Sequence, residues 1–126
     1  MNKEFVTYEQ ALALKELGFD EPCFGTYDED KNFELQDFEQ RYDTFPSHII
    51  AAPLKQQVFR WFRENHGLDY SISFAGREGE YHAFVKDYVY GNNGSSPSVF
   101  SYEEAEDVCI DKLIEIIKSI KTQNNE

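Results

Sequence analysis

From Leu68 to Ala75 the chain alternates without a break: Leu68, Tyr70, Ile72 and Phe74 against Asp69, Ser71, Ser73 and Ala75. Successive side chains of a strand point to opposite faces, so this pattern defines a strand buried on one face. Gly76-Arg77-Glu78-Gly79 then turns the chain, and Tyr81 to Tyr90 returns as its antiparallel partner. On the return strand Tyr81, Ala83, Val85 and Val89 share one face, while His82, Phe84, Lys86, Tyr88 and Tyr90 share the other. Both faces therefore carry aromatic rings. A half-buried hairpin is not stable by itself, and its apolar side needs helices to cover it.

The two ends of the chain supply such helices. Thr7-Tyr8-Glu9-Gln10-Ala11 and Ser101-Tyr102-Glu103-Glu104-Ala105 each place a hydroxyl residue three positions before Gln or Glu. That spacing makes a capping box, and the preceding Val6 and Phe100 are placed to pack on Ala11 and Ala105 as hydrophobic staples. The first helix is predicted over about Tyr8 to Leu17, with Gly18 as its left-handed stop. The last is predicted over about Tyr102 to Lys121, with the stripe Ala105, Val108, Cys109, Leu113, Ile116, Ile117, Ile120 and a frayed tail over residues 121–126. Between them, Leu54, Val58, Trp61 and Phe62 recur at helical spacing over residues 54–65, opened by Pro53 and stopped by Gly67.

Cys23 to Tyr27 and Phe33 to Leu35 read as a hairpin around Asp28-Glu29-Asp30-Lys31-Asn32. A short strand or irregular segment is expected from Gln36 through Phe45, and Gly91 to Ser98 is a loop. The fold class is α+β, an antiparallel sheet with helices packed on one face, in the order α-β-β-(β)-α-β-β-α. The expectation is one domain over residues 1–126, large enough for a single core rich in its eleven Phe and eight Tyr.

Net charge is −12. Binding to phosphates by counterion release needs basic residues, and so does attraction to an anionic bilayer. The charge therefore speaks against direct nucleic-acid binding and against a membrane surface. The opening Met1-Asn2-Lys3-Glu4 lacks an apolar signal region, so the cytoplasm is the default location. Cys23 and Cys109 read as reduced, with Cys109 a small hydrophobe on the last helix.

Few constellations suggest chemistry. Asp28-x-Asp30-x-Asn32-x-Glu34-x-Gln36-x-x-Glu39 places oxygens at calcium-loop positions, but Phe33 stands where Gly is required and no helix leads in. An acidic turn is the better reading. His48, His66 and His82 form no ligand cluster, and no Gly-rich phosphate loop is present. His66, beside Gly67 at a helix C-terminus, reads as partly protonated there. Glu78 and Glu80 read as solvated turn residues, and Cys23 as a packing residue rather than a nucleophile. Neither a metal nor a cofactor is expected. In Arg60-Trp61-Phe62-Arg63, an exposed Trp61 would suit an interface. The favoured alternative buries Trp61 and Phe62 and pairs the arginines with the acidic 20–43 segment.

Phe5 to Ala11, Leu17 to Cys23, the Val58-Phe59-Arg60-Trp61-Phe62-Arg63-Glu64 helix and Ser101 to Ala105 form an arrangement that resembles a known group. It is similar to small uncharacterised proteins encoded by bacteriophages and prophage regions, especially of Bacteroidetes-type bacteria. The resemblance spans most of the chain and implies a phage accessory role in the host cytoplasm. It carries no catalytic residue. The functional expectation is a non-enzymatic protein that binds a host or phage protein. In a sharper version, the carboxylates Asp28, Glu29, Asp30, Glu34, Asp37 and Glu39 act as a nucleic-acid mimic. The alternative is a small-molecule or nucleotide binder using Phe84, Tyr88 and Tyr90 as a stacking platform. That aromatic face could also pair two copies as a homodimer.

Overall fold

The computed structural model describes residues 3–40, 46–74, 79–87, 93–95 and 99–124; at 37–40, 87, 93–95 and 123–124 the description covers the backbone alone. It is an α+β fold whose order extends the expected one by a last short strand: α1 (Tyr8–Glu16), β1 (Cys23–Tyr27), β2 (Phe33–Gln40), β3 (Ile50–Ala52), α2 (Lys55–His66), β4 (Leu68–Phe74), β5 (Tyr81–Asp87), β6 (Asn93–Ser95) and α3 (Tyr102–Asn124). The strands form two three-stranded antiparallel sheets, β2-β1-β3 and β4-β5-β6, where a single sheet was the simplest expectation. The chain divides into two compact units, residues 1–58 and 59–126, and the division falls inside α2.

In the first unit α1 begins and ends as its residues dictate. Thr7 Oγ1 accepts from the Gln10 amide at 3.1 Å, and Gln10 Oε1 accepts from the Thr7 amide at 2.9 Å. At the other end Gly18 takes φ +95°, Phe19 N donates to Leu14 O at 3.0 Å, and Gly18 N donates to Lys15 O at 3.1 Å. This is the paired hydrogen-bond pattern of a glycine-stopped helix. The buried Ala11, Leu14 and Phe19 face the core with Val6, Cys23, Tyr27 and β3. The Tyr27 hydroxyl donates to the Val6 carbonyl at 2.7 Å, so its one polar atom is satisfied inside. Residues 4–6 are laced to 53–55 by Val6 N to Pro53 O and Lys55 N to Glu4 O.

Gly25 lies in the central strand, opposite Leu35 on β2 and Ala52 on β3. The Phe33 ring closes over it, resting 4.8 Å from Phe5 and 5.5 Å from Tyr27 between ring centroids. Beyond Leu35 the register shifts, since Cys23 faces Gln40. The segment read as ending at Leu35 therefore continues as β2 to Gln40 through an irregularity. Residues 41–45, part of the expected strand or irregular segment, lie outside the described residues.

In the second unit β4 and β5 pair in unbroken register from Leu68–Asp87 to Phe74–Tyr81. The expected faces hold, with Ala83 and Val85 buried and Phe84 and Lys86 exposed. Tyr70 stacks on Phe59 of α2 at 3.7 Å and 15°. Asn93–Ser95, expected as loop, pairs with Phe84–Lys86. Turn-forming residues do not forbid a strand when a neighbour offers its backbone.

α3 packs on β5 and β4, but with a face turned from the expected stripe. Ile110 and Ile114 are buried with Ala105, Cys109, Leu113 and Ile117, whereas Val108, Ile116 and Ile120 are only half-buried. Apolar residues ring this helix, so periodicity alone admits both faces and the sheet selects one. The helix also runs to Asn124, past the expected fray. The Ser101 cap forms, accepting from Glu104 N at 3.1 Å, but its staple does not: Phe100 is 71 % exposed.

Candidate functional site

Among the described residues, three large exposed apolar side chains of the second unit, Phe74, Phe100 and Tyr102, lie toward one end of its sheet, while Phe84 lies within β5. Tyr81 is held there by two backbone bonds with Val99, Tyr81 N to Val99 O at 2.7 Å and Val99 N to Tyr81 O at 3.0 Å. Phe74, last residue of β4, faces Tyr81 in register, with ring centroids 5.2 Å apart. Tyr102, first residue of α3, meets Tyr81 edge-on at 5.9 Å. These rings are incompletely covered: Phe74 is 60 % exposed and Tyr102 42 %, and Phe100 follows Val99 in the chain. Partial burial, then the Glu106 carboxylate and Cys109, push the Tyr102 phenol above its usual range. A rigid aromatic surface of this kind presents large contact area at small ordering cost.

Sequence reasoning placed these residues elsewhere. Phe74 reads as an inward strand residue and Phe100 as a staple. Their positions carried the missing signal: one precedes a glycine turn and the other follows a loop, so each stands where the core ends.

The acidic turn of the first unit is ordered by its own backbone. Asp28 Oδ1 accepts from the amides of Asp30 and Asn32, each at 2.9 Å, and Oδ2 accepts from Asn32 Nδ2 at 3.2 Å. The Asn32 amide, foremost among these, holds the Asp28 carboxyl below its usual range. Lys31, at φ +68°, reaches Glu9 Oε1 at 3.3 Å and lies 5.3 Å from the Tyr8 ring centroid. Glu9 is likewise held low, by a backbone amide and then by Lys31. The turn follows β1 rather than a helix, and Asp28 spends its oxygens on amides, so the calcium-loop geometry is not formed. Glu29, Asp30 and Glu34 are exposed. Asp37 and Glu39 lie on the backbone of β2, and their side chains are outside the description. Among the described residues no three His, Cys, Asp or Glu side chains converge as metal ligands.

Trp61 is 5 % exposed, edge-on to Phe62 at 5.1 Å and to His66 at 4.8 Å. It is a core residue and not an exposed contact, because its position shares the buried face of α2 with Val58 and Phe62. Arg63 pairs with Asp69 at 3.9 Å. His66 corrects another expectation. Burial, then the Lys121 charge, hold its imidazole below the ordinary range, outweighing the helix dipole.

Of the proposed stacking platform, Phe84 is 42 % exposed on the face away from Ala83 and Val85. Its cross-strand neighbours are Ser71 and Ser95, and His82 lies 6.5 Å away. Tyr88 and Tyr90 lie outside the described residues. Cys23 and Cys109 are buried thiols. Cys23 donates to Glu21 O at 3.3 Å, and Cys109 donates weakly to Phe84 O at 3.9 Å. Burial foremost pushes Cys109 up to about 12, which keeps it protonated and unreactive. Among the described residues no helix is long and apolar enough to cross a membrane. No protein-family model, curated protein or solved structure matches the chain.

Proposed function

We propose that this chain is a non-enzymatic protein-binding module whose contact surface is the aromatic end of the second sheet. The observation that carries the reading is the exposed pair Phe74 and Tyr102, both packed against the half-buried Tyr81 and flanked by the exposed Phe100. Exposed aromatic clusters of this kind mark interaction sites more often than chance exposure does. The phage resemblance adds a setting, an accessory factor acting on a host or phage protein in the host cytoplasm. Cys109 is buried and protonated and Asp28 is engaged by its own turn, so neither supports a nucleophilic role.

A second reading, the acidic mimic, is favoured by the turn itself. Asp28 is held ionised while Glu29, Asp30 and Glu34 stand exposed beside it. The two readings separate by salt and by substitution. Co-purification of the wild-type chain is compared with Phe100→Ser and with Glu29→Gln/Asp30→Asn/Glu34→Gln, at low and high salt. A partner kept at high salt and lost with Phe100→Ser supports the aromatic surface. A partner lost at high salt and with the amide triple variant supports the mimic. A partner indifferent to both variants refutes both.

A further inference from the structure

We propose that two copies of this chain pair through the outer edge of β4, joining their β4-β5-β6 sheets into one antiparallel sheet that gives the exposed Phe74 an apolar neighbour. The inference rests on reading the exposed Phe74 as part of a protein-binding surface and names a second copy as its neighbour along β4. β4 is an outer strand: among the described residues only β5 pairs with it, and it does so over its whole length without a bulge. Natural edges are guarded by charged side chains, above all Lys, and by Pro, bulges or extreme shortness. β4 reads Leu-Asp-Tyr-Ser-Ile-Ser-Phe: its one charge, Asp69, lies near its start, and from Tyr70 to Phe74 it carries none of these.

The backbone shows which groups face outward. The Tyr70 amide donates to Asp69 Oδ1 at 2.8 Å, so it is turned away from β5. Amides alternate along a strand, and those of Leu68, Ile72 and Phe74 share that outer side. Outward-facing residues of two antiparallel edges must meet one another. A two-fold axis at Ser71 satisfies this and is the register in which the whole of β4 overlaps its copy.

The side chains then match. Leu68 meets Phe74 of the second copy, and Tyr70 meets Ile72, all on the face that α3 covers. Asp69 meets Ser73, and Ser71 meets Ser71, on the opposite face. No like charges stand opposed, and the exposed Phe74 gains an apolar neighbour in Leu68. In the single chain the outward Tyr70 amide is served by Asp69, which Arg63 holds at 3.9 Å. A paired strand takes over that role.

Charge supplies the sign of the test. Each copy carries −12, so long-range repulsion opposes pairing and added salt should tighten the dimer. A basic peptide on the same edge would weaken with salt instead. Sedimentation of the full chain over a concentration series, at low and high salt, reads both. Register is read by substitution at exposed positions. Ser71→Lys and Ser71→Glu both set like charges across the axis and should each weaken the dimer, by roughly twofold to fivefold. At Ser73, Ser73→Glu opposes Asp69 of the second copy and weakens pairing, whereas Ser73→Lys strengthens it by a similar factor.

If only net charge mattered, both lysine variants would strengthen pairing, and that outcome overturns the proposal. So does a wild-type chain that stays monomeric at every concentration, or a dimer that responds to none of the four. Circular dichroism confirms that each variant is folded before its result counts. Phe100 lies outside β4, so partner loss with Phe100→Ser in a monomeric chain would leave the binding-module reading standing while this inference fails.

Discussion

Replacing Gly25 with Ala adds one methyl group at a crowded point of the first sheet. An ideal Cβ there would stand 2.7 Å from Phe33 Cε2, 2.9 Å from Ala52 O and 3.0 Å from Phe33 Cζ. The Phe33 ring cannot simply swing aside, because Phe5 and Tyr27 brace it at 4.8 and 5.5 Å. The Ala52 carbonyl is backbone of β3 and moves only with its strand. Overpacking of this kind costs about 1–3 kcal/mol. The narrower unfolded ensemble of Ala offsets about 0.4–1 kcal/mol of that. The expected net is a destabilisation of roughly 1–2 kcal/mol. In a chain of this size that lowers the melting temperature by roughly 3–10 °C. Amide exchange of β1 locates the effect, and urea unfolding followed by circular dichroism gives its size. Phe33→Leu in the same chain separates the two contacts. If the ring is the obstacle, the Gly25→Ala penalty shrinks in the leucine background; if the Ala52 carbonyl is, the penalty persists. A Gly25→Ala chain as stable as wild type would refute the packing argument altogether.

Thr7→Ala removes the oxygen that accepts from Gln10 N and should cost about 1 kcal/mol, while Thr7→Ser should cost less, both measured by urea unfolding. His66 makes stability depend on pH. Its folded pKa lies below the 6.5 of the unfolded chain, so as pH falls through 6.5 the unfolded state takes up the proton first and stability drops. Above that range the group is neutral in both states and contributes no slope; His66→Gln should flatten the acid side of a stability profile in this window. Cys109, buried and pushed up to about 12, should resist a thiol reagent in the native chain and react once urea unfolds it. Fast native labelling at Cys109 would contradict its placement.

Much of the local structure was legible because short-range chemistry decides it. Thr7 and Gln10 name their own helix start, Gly18 its stop, and the alternation from Leu68 to Phe74 its strand. What sequence could not supply was decided by partners far along the chain. Asn93–Ser95 became a strand because β5 offered an edge. Ile110 and Ile114 won burial over Val108 and Ile116 because the sheet lies on that side of α3. His66 lost its expected proton affinity to Trp61, Phe62 and Lys121, none of which its local sequence weighs correctly. The candidate surface was the least legible part. A Phe at a strand end or before a cap looks apolar and hence internal, and only the end of the sheet leaves Phe74 and Phe100 outside.

Trp61 is the one tryptophan of the chain, and it sits in the second of the two units, edge-on to His66. Its emission thus reports on surroundings that include the Phe62 and His66 rings. The same indole has a titrating neighbour, and a protonated imidazole quenches it more strongly than a neutral one. Acidification should therefore dim the chain's fluorescence before it unfolds, giving the His66 proton an optical signature of its own.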